Sequence, residues 1–426
     1  MLLQVEANAR ATGEEAAKMP GICLLTESYY PVVGGGETQA RVLAEDLVAQ
    51  GFKVLVVARR SSAAFSRIEE INGVTVCRTS PVGGGRLKRW AMVFTCLPVL
   101  LSWSRRYDVI YVSGFKALGL TAVAVSWLLG KRCVLKADSN GEMSGDFFDR
   151  GRQSLGWTSD SPAFRWFLGL RNRILRRADR FVAISSDIAE ELQRHGVGAE
   201  KIELVTNSVD TSLFSPVNAD IKAALRRRLL LPADRMIVTY TGRLVSYKGL
   251  PLLLRVWEQL QREHPEGLLL VVGSGGVDMY NCEAELKQFV RGHGLQNSVR
   301  FTGDAHNVHE YLQTSDVFVF PTEKEAFGIS LVEAMACGLP VIATPTGGIK
   351  DILVDRQNGL LVEAGSFEAL YDAIHRLMTD RSLAGSLATA GRLTARTRYA
   401  RNVVLERYIR LFAHMSSAPP GKAARV

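Results

Sequence analysis

The chain has 426 residues, 47% of them hydrophobic, with 38 glycines and a formal charge of +9. Such a composition excludes a disordered chain and is long for one core, so two α/β domains of roughly 200 residues each are expected. Basic residues cluster at Arg86, Lys88, Arg89, Arg105 and Arg106, and again between residues 150 and 180, among Trp90, Phe94, Trp166 and Phe167. The pattern suits an anionic membrane surface better than a nucleic acid, whose motif signatures are absent; solvated helix faces are the plainer alternative.

The six cysteines stand singly, without the short paired spacing of a zinc site, and read as buried residues in a reducing compartment. No apolar core of a signal peptide is found near the start, and the apolar runs 90–103 and 117–130 are too short to span a bilayer. A cytoplasmic protein, soluble or peripheral on the membrane, is expected, with disordered tails at 1–19 and 415–426.

In chain order, Ile22–Thr26 reads as a buried strand, Gly34-Gly35-Gly36 opens a helix at about Glu37, and 53–57 is the next strand. A glycine-rich turn at a helix start can receive an anion, but Gln39 stands where a dinucleotide fingerprint needs its third glycine. Strands follow at 74–78, 108–112 and 133–136, with a helix over 117–129. The last strand exits through Ala137-Asp138-Ser139-Asn140-Gly141-Glu142. Residues 141–161 read as a mobile loop, 164–178 as a helix, and 180–185 and 202–205 as strands, the second ending in Thr206-Asn207-Ser208-Val209-Asp210.

The stretch from Thr211 to about Pro232 is the expected domain boundary. Beyond it, strands at Met236–Thr241, Gly267–Val272 and 299–302 alternate with helices and end in glycine turns, implying a second doubly wound parallel sheet. A cleft between the two domains is the default ligand site. One βαβ step, 317–343, carries Glu325 and Glu333 at the carboxyl end of a strand, where open α/β sheets keep their ligands; a long helix over 400–414 closes the chain.

Glu325 and Glu333 are about 80° out of phase on one helix, so they need not be partners. Ser330 and Glu333 also fit a capping box, so a structural and a functional reading of Glu333 both stand. The amides of Phe327, Gly328 and Ile329, with Glu325 before them, could grip a polyhydroxylated ligand. Arg243 and Lys248 flank a strand-to-helix loop and could clamp a diphosphate, neutralising the charge it develops as a leaving group. A solvated basic loop is the alternative, and the glycine turns at Gly273-Ser274-Gly275-Gly276 and Thr302-Gly303-Asp304 favour the clamp. All seven histidines lie at or beyond 195, so the first sheet works without imidazole; His306 and His309 lack further ligands and read as surface residues.

These motifs resemble the retaining family 4 glycosyltransferases of the GT-B class. The resemblance rests on Glu325-x7-Glu333 with Phe327-Gly328, Glu333-Ala334-Met335-Ala336-Cys337-Gly338-Leu339-Pro340, Thr346-Gly347-Gly348, Gly242-Arg243-Leu244 with Lys248-Gly249, Gly34-Gly35-Gly36-Glu37, and Asn207-x-Val209-Asp210 leading to Phe214-x-Pro216. It implies two Rossmann-like domains facing across a cleft, 20–212 for the acceptor and 213–395 for a nucleotide-sugar, and a crossover helix 396–414 packing on the first. Arg243 and Lys248 would hold the donor diphosphate, Glu333 the ribose, and Glu325 with the Phe327 and Gly328 amides the sugar. Gly35, Gly36, Asn207, Gly273, Gly303 and Ile329 would complete the donor set, with no metal and no nucleic acid involved.

Two positions depart from the family. Its histidine beside the donor sugar is missing, leaving Asp138, Asn140 and Glu142 as candidates for that place, and Ser208 replaces a usual glycine. The implied activity is transfer of a hexosyl unit from a UDP- or GDP-sugar to a lipid-linked or glycan hydroxyl. A sugar phosphorylase or nucleotide-sugar epimerase of the same fold, and a non-catalytic nucleotide-sugar-binding protein, are the alternatives.

Overall fold

The computed structural model describes residues 19–32, 34–83, 85–146, 161–276 and 278–417; the side chains of 86, 87, 89, 416 and 417 lie outside this description. Most of both expected tails and most of the expected mobile loop lie outside the described residues. The chain divides into two compact units: one takes the chain up to Ala183, Glu191–Glu203 and everything from Leu405, the other Ile184–Glu190 and Leu204–Val404.

The first unit is built on eight strands: β1 (Ile22–Thr26), β2 (Val54–Arg59), β3 (Ile68–Ile71), β4 (Val74–Thr79), β5 (Val109–Ser113), β6 (Arg132–Ala137), β7 (Arg180–Ala183) and β8 (Ile202–Leu204). They lie in the order β3-β4-β2-β1-β5-β6-β7-β8. β1 and β5 are buried throughout, as parallel strands covered on both faces must be, which is why they read as continuous apolar runs. Between them the strand order reverses, so their carboxyl ends form the topological switch point. β3 is antiparallel to β4, a partly exposed edge whose Ile-Glu-Glu-Ile sequence gave no apolar run to detect.

The second unit is built on β9 (Met236–Thr241), β10 (Gly267–Val272), β11 (Val299–Phe301), β12 (Val317–Phe320), β13 (Val341–Ala343) and β14 (Leu360–Leu361). All pairings are parallel, in the order β11-β10-β9-β12-β13-β14, with the switch point between β9 and β12. The residues after those two strands are the loops of Lys248 and Glu325.

Three expectations need correction. The stretch 211–232 belongs to the second unit: Asn218 caps a helix at Ala219–Arg228 through the Ile221 amide, and buried Arg226 donates to Thr314 O at 2.8 and 3.0 Å and to Asp316 at 2.8 Å. The expected crossover helix at 396–414 is two helices, Arg381–Arg398 and Arg401–Ser417. They part because Val209 pairs with the chain there, its N–H donating to Tyr399 O at 2.8 Å and its carbonyl accepting from Arg401 N at 3.2 Å. The final helix also runs beyond the expected tail boundary, and from Leu405 it counts with the first unit. There Tyr408 and Tyr111 of β5 share a hydroxyl hydrogen bond of 3.0 Å, and Phe412 packs edge-on against Tyr111.

Candidate functional site

The second unit's switch point gathers three loops. After β9 the chain passes Arg243 and a short 3-10 turn, Ser246–Lys248, before the Leu250–Glu263 helix, which starts with Pro251 in its first turn. After β12 it passes Thr322 to Gly328, and after β13 it passes Thr344 to Gly348. The first two loops are tied by Glu323 N donating to Tyr247 O at 2.9 Å. Thr322 O accepts from the hydroxyls of Thr344 and Thr346, the latter at 3.0 Å, which ties in the third. Gly347 completes the join: it has φ 52°, and a Cβ there would overlap the Glu325 carbonyl oxygen.

This scaffold holds Lys248 against Glu325. Lys248 is 8% exposed, its Nζ lies 2.8 Å from Glu325 Oε2, and it sits 5.2 Å from the Phe320 ring centroid. The other carboxylate oxygen of Glu325 accepts from the amides of Ala326 at 2.9 Å and Phe327 at 3.3 Å. The Phe327 amide, expected as a ligand donor, is therefore already engaged by Glu325, because a loop carboxylate just ahead of a helix folds back on the nearest N–H groups.

The capping box is not formed. Gly328, left-handed at φ 108°, takes the N-cap position of the Ile329–Ala336 helix without a side-chain cap, which puts Ser330 inside the first turn and Glu333 in mid-helix. Glu333 therefore has no capping role, and burial pushes its carboxyl up to about 8. Gly328 and Ile329 supply the first amides of that helix.

Arg243 is exposed and is held by Asp278 and by the Tyr247 hydroxyl at 3.0 Å. Gly242, Gly273 and Gly303 come together at the ends of β9, β10 and β11: Gly242 N donates to Val272 O at 3.0 Å and Gly273 N to Gly303 O at 3.1 Å. Asn207 is buried in the second unit.

The first unit presents a different set at its own switch point. The Gly35–Ala49 helix begins at Gly35 rather than near Glu37, and the Glu37 carboxylate lies over Gly34, so the turn already carries an anion of its own. Beside Gly36 is Asp138, whose carboxylate accepts from the Ser113 hydroxyl at 2.8 Å and pairs with Lys136 at 2.6 Å. Lys136 is 3% exposed. Burial pulls its ammonium down, and Asp138, with Tyr408 and Glu142, brings it back above its ordinary value.

Glu142 is buried, accepts from Asp138 N at 2.9 Å, and is pushed up to about 7 chiefly by burial. Asn140 is exposed. The described start of the expected mobile loop is pinned: the Glu191 carboxylate accepts from the amides of Gly141 at 2.7 Å, Met143 at 2.9 Å and Ser144 at 3.1 Å. Buried Arg171 donates to the Glu142 carbonyl at 2.9 Å, and burial lowers its guanidinium to about 10.

Two family models match the chain, Glycosyltransferase Family 4 over residues 33–213 and Glycosyl transferases group 1 over residues 221–394. The chain belongs to the family 4 glycosyltransferases. Its two parallel-sheet units have the GT-B fold. HepE of Anabaena in complex with UDP and glucose is similar at a TM-score of 0.74 and 20% identity, covering 94% of this chain and 100% of that one. Sucrose-phosphate synthase of Thermosynechococcus elongatus is similar at 0.76 and 24%, covering 94% and 100%. A D-inositol 3-phosphate glycosyltransferase of Xylanimonas cellulosilytica is 30% identical over 230 residues, 53% of this chain and 54% of its own. The chain thus matches about half the length of such curated relatives.

Several residues that build this candidate site were not singled out from sequence. Asp278 follows the glycine turn that was noted, but its pairing with Arg243 spans 35 positions. Thr322 and Thr344 look like ordinary loop residues until the fold brings the Thr344 hydroxyl to the Thr322 carbonyl. Lys136 had a usable signal, a lysine inside an apolar strand, which is costly unless paired.

Proposed function

We propose that this chain transfers a hexosyl unit from a UDP- or GDP-sugar to an acceptor hydroxyl with retention at the anomeric carbon and without a catalytic metal ion. The observation that carries this reading is the buried Lys248–Glu325 pair at the carboxyl ends of β9 and β12. An ammonium held by the Glu325 carboxylate at 2.8 Å and the Lys324 carbonyl at 3.5 Å keeps a further donor for the oxygens of a departing diphosphate. The UDP and glucose held by HepE, which shares the fold, support a nucleotide-sugar donor.

In this reading the acceptor oxygen bonds to the anomeric carbon on the face from which the diphosphate leaves. The breaking C–O bond gives its electron pair to the phosphate oxygen, and the acceptor proton passes to that same oxygen. No protein base is needed. Lys248 stabilises the phosphate charge, Arg243 exchanges Asp278 for a phosphate oxygen, ionised Glu333 accepts from the ribose hydroxyls, and Glu325 positions Lys248 and meets the sugar.

The test is transfer and hydrolysis with a panel of nucleotide sugars in EDTA, comparing wild type with Lys248→Ala and Glu325→Gln. Each variant is expected to lose about 10²-fold or more in turnover, with the product anomer matching the donor. Unchanged turnover in both variants would overturn the reading.

A lipid-linked acceptor at a membrane face is favoured by one surface of the first unit. The helices Arg86–Thr95, Leu97–Ser102, Leu118–Leu129 and Pro162–Leu175 pack side by side. They leave Phe94, Trp127, Leu128 and Trp166 largely exposed, with Trp90, Leu101 and Leu170 nearly half exposed. Exposed Lys88, Arg105, Arg165, Arg173 and Arg177 accompany them. Aromatic rings with basic neighbours suit the interface of an anionic bilayer. No described helix is long and apolar enough to cross a membrane. Flotation with anionic vesicles should carry the protein upward and should fail for the Trp127→Ser, Trp166→Ser pair; indifference of wild type to such vesicles removes this part.

A further inference from the structure

The far end of the Leu250–Glu263 helix bears a group that the transfer reaction does not use. His264 follows that helix directly, and His375 projects from the Phe367–Thr379 helix. His264 Nε2 lies 3.1 Å from His375 Nδ1, and Glu263 Oε2 lies 3.7 Å from the same His375 nitrogen. One oxygen or nitrogen from each of Glu263, His264 and His375 falls within 4.8 Å of the others, and among the described residues this is the one group of three or more such side chains so disposed.

We propose that Glu263, His264 and His375 form a binding site for a borderline divalent cation, zinc in kind. Two imidazole nitrogens facing each other across 3.1 Å need something between their lone pairs, either one proton or one cation. Ligand bonds of about 2.0–2.1 Å at tetrahedral angles separate two nitrogens by about 3.3 Å, so a cation enters with little movement of the rings. Two imidazoles and one carboxylate are the donor set that zinc, nickel or copper takes, leaving one position for water.

The surroundings orient the ligands. The Tyr371 hydroxyl donates to Glu263 Oε1, which turns Oε2 toward the histidines. Tyr371 also lies parallel to His375, with ring centroids 6.0 Å apart, and Phe367 lies parallel to Tyr371. Glu266 Oε1 stands 3.6 Å from His264 Nδ1, on the outer side of the ring, where a carboxylate favours the tautomer with a free lone pair on Nε2. His264 is mostly buried, whereas His375 and Glu263 are partly exposed, which gives an ion its entry.

The site acts as a clip and takes no part in the chemistry. His264 and His375 are 111 residues apart, and the clip fastens their two helices at one end. The Leu250–Glu263 helix begins immediately after Lys248-Gly249, so the clip lies about 20 Å from the catalytic loop along a helix that the loop depends on. Bound cation then raises stability by linkage while leaving the transfer step metal-independent.

The experiment uses full-length protein stripped with EDTA and titrated with Zn²⁺ and, separately, Co²⁺. Wild type is expected to bind one equivalent of Zn²⁺ with a rise in Tm. Co²⁺ should give the visible bands of a four- or five-coordinate nitrogen–oxygen site without the near-ultraviolet bands of thiolate ligation. His375→Gln and Glu263→Gln, both at partly exposed positions, should weaken binding about 10-fold or more and abolish the Tm rise. The proposal fails if wild type binds no Zn²⁺, if either variant binds it as tightly as wild type, or if Co²⁺ reports sulfur ligands. Sugar transfer by the stripped protein is measured in parallel, so that failure of the transfer reading is seen separately.

Discussion

Burial alone pushes the Glu333 carboxyl up to about 8, and the sign of that shift decides what pH does. A carboxyl whose folded-state pKa is raised favours the fold when protonated. Its contribution is full at or below the ordinary value of 4.5 and is lost as pH climbs to about 8. Glu333→Gln should flatten that loss, so its urea-unfolding stability should exceed wild type's by a growing margin over this range. Nucleotide binding should run the other way. A ligand that donates hydroxyls to an ionised Glu333 binds wild type more tightly as pH rises toward about 8, by up to about tenfold per unit, and the slope should vanish in the variant. A parallel slope in both proteins would remove Glu333 from the ligand site. Gly347 offers a second test at this scale. Gly347→Ala must place a Cβ against the Glu325 carbonyl at positive φ, so it should cost at least about 2 kcal/mol in urea unfolding and disturb the Lys248–Glu325 pair.

Among the elements, strands were the most legible. β1 and β10 are almost wholly apolar and β9 breaks its run only at two buried threonines, because both faces are covered, and the alternation with helices points to parallel sheets. What escaped were features created by partners distant in sequence. β3 is held by β4 rather than by its own apolarity, and Val209 sets the break at Tyr399 and Ala400. The Ala219–Arg228 helix reads as a charged connector because its key residue, Arg226, is a buried cation whose acceptors at Thr314 and Asp316 lie 88 and 90 positions away. Within the candidate site, Arg243, Lys248 and Glu325 were legible as charges in the loops after strands, whereas Glu333 lies in the middle of the helix that follows. The pairing of Lys248 with Glu325, and the capture of Arg243 by Asp278, required the folded loops. Arg226→Ala leaves the Thr314 carbonyl without its buried partner while Asp316 keeps Lys222 and the Ile237 amide, so it should cost about 1–3 kcal/mol in urea unfolding.

At the scale of the whole molecule, the first unit draws on the end of the chain. Tyr408 and Phe412 close over Tyr111 in the middle of its sheet, and both are nearly inaccessible to solvent. Truncation after Val404 should therefore expose Tyr111 and make the first unit sensitive to limited proteolysis. The second unit, which ends at Val404, should keep its resistance and the melting-temperature rise expected on adding UDP or GDP. Equal resistance of both units after truncation would show that the final helix contributes little.

That discontinuity bears on how the protein is made. A ribosome emits the chain from its amino end, at about 5–20 residues per second, yet the unit that starts there is completed by residues from Leu405 onward, made after the whole of the other unit. Val404 leaves the exit tunnel before Tyr408 and Phe412, so the second unit has its full set of residues outside while the first still lacks the side chains that cover β5. Synthesis thus reverses the sequence order: every residue of the second unit is made before the first has the side chains that cover β5, and until Tyr408 and Phe412 arrive the first keeps part of its sheet open.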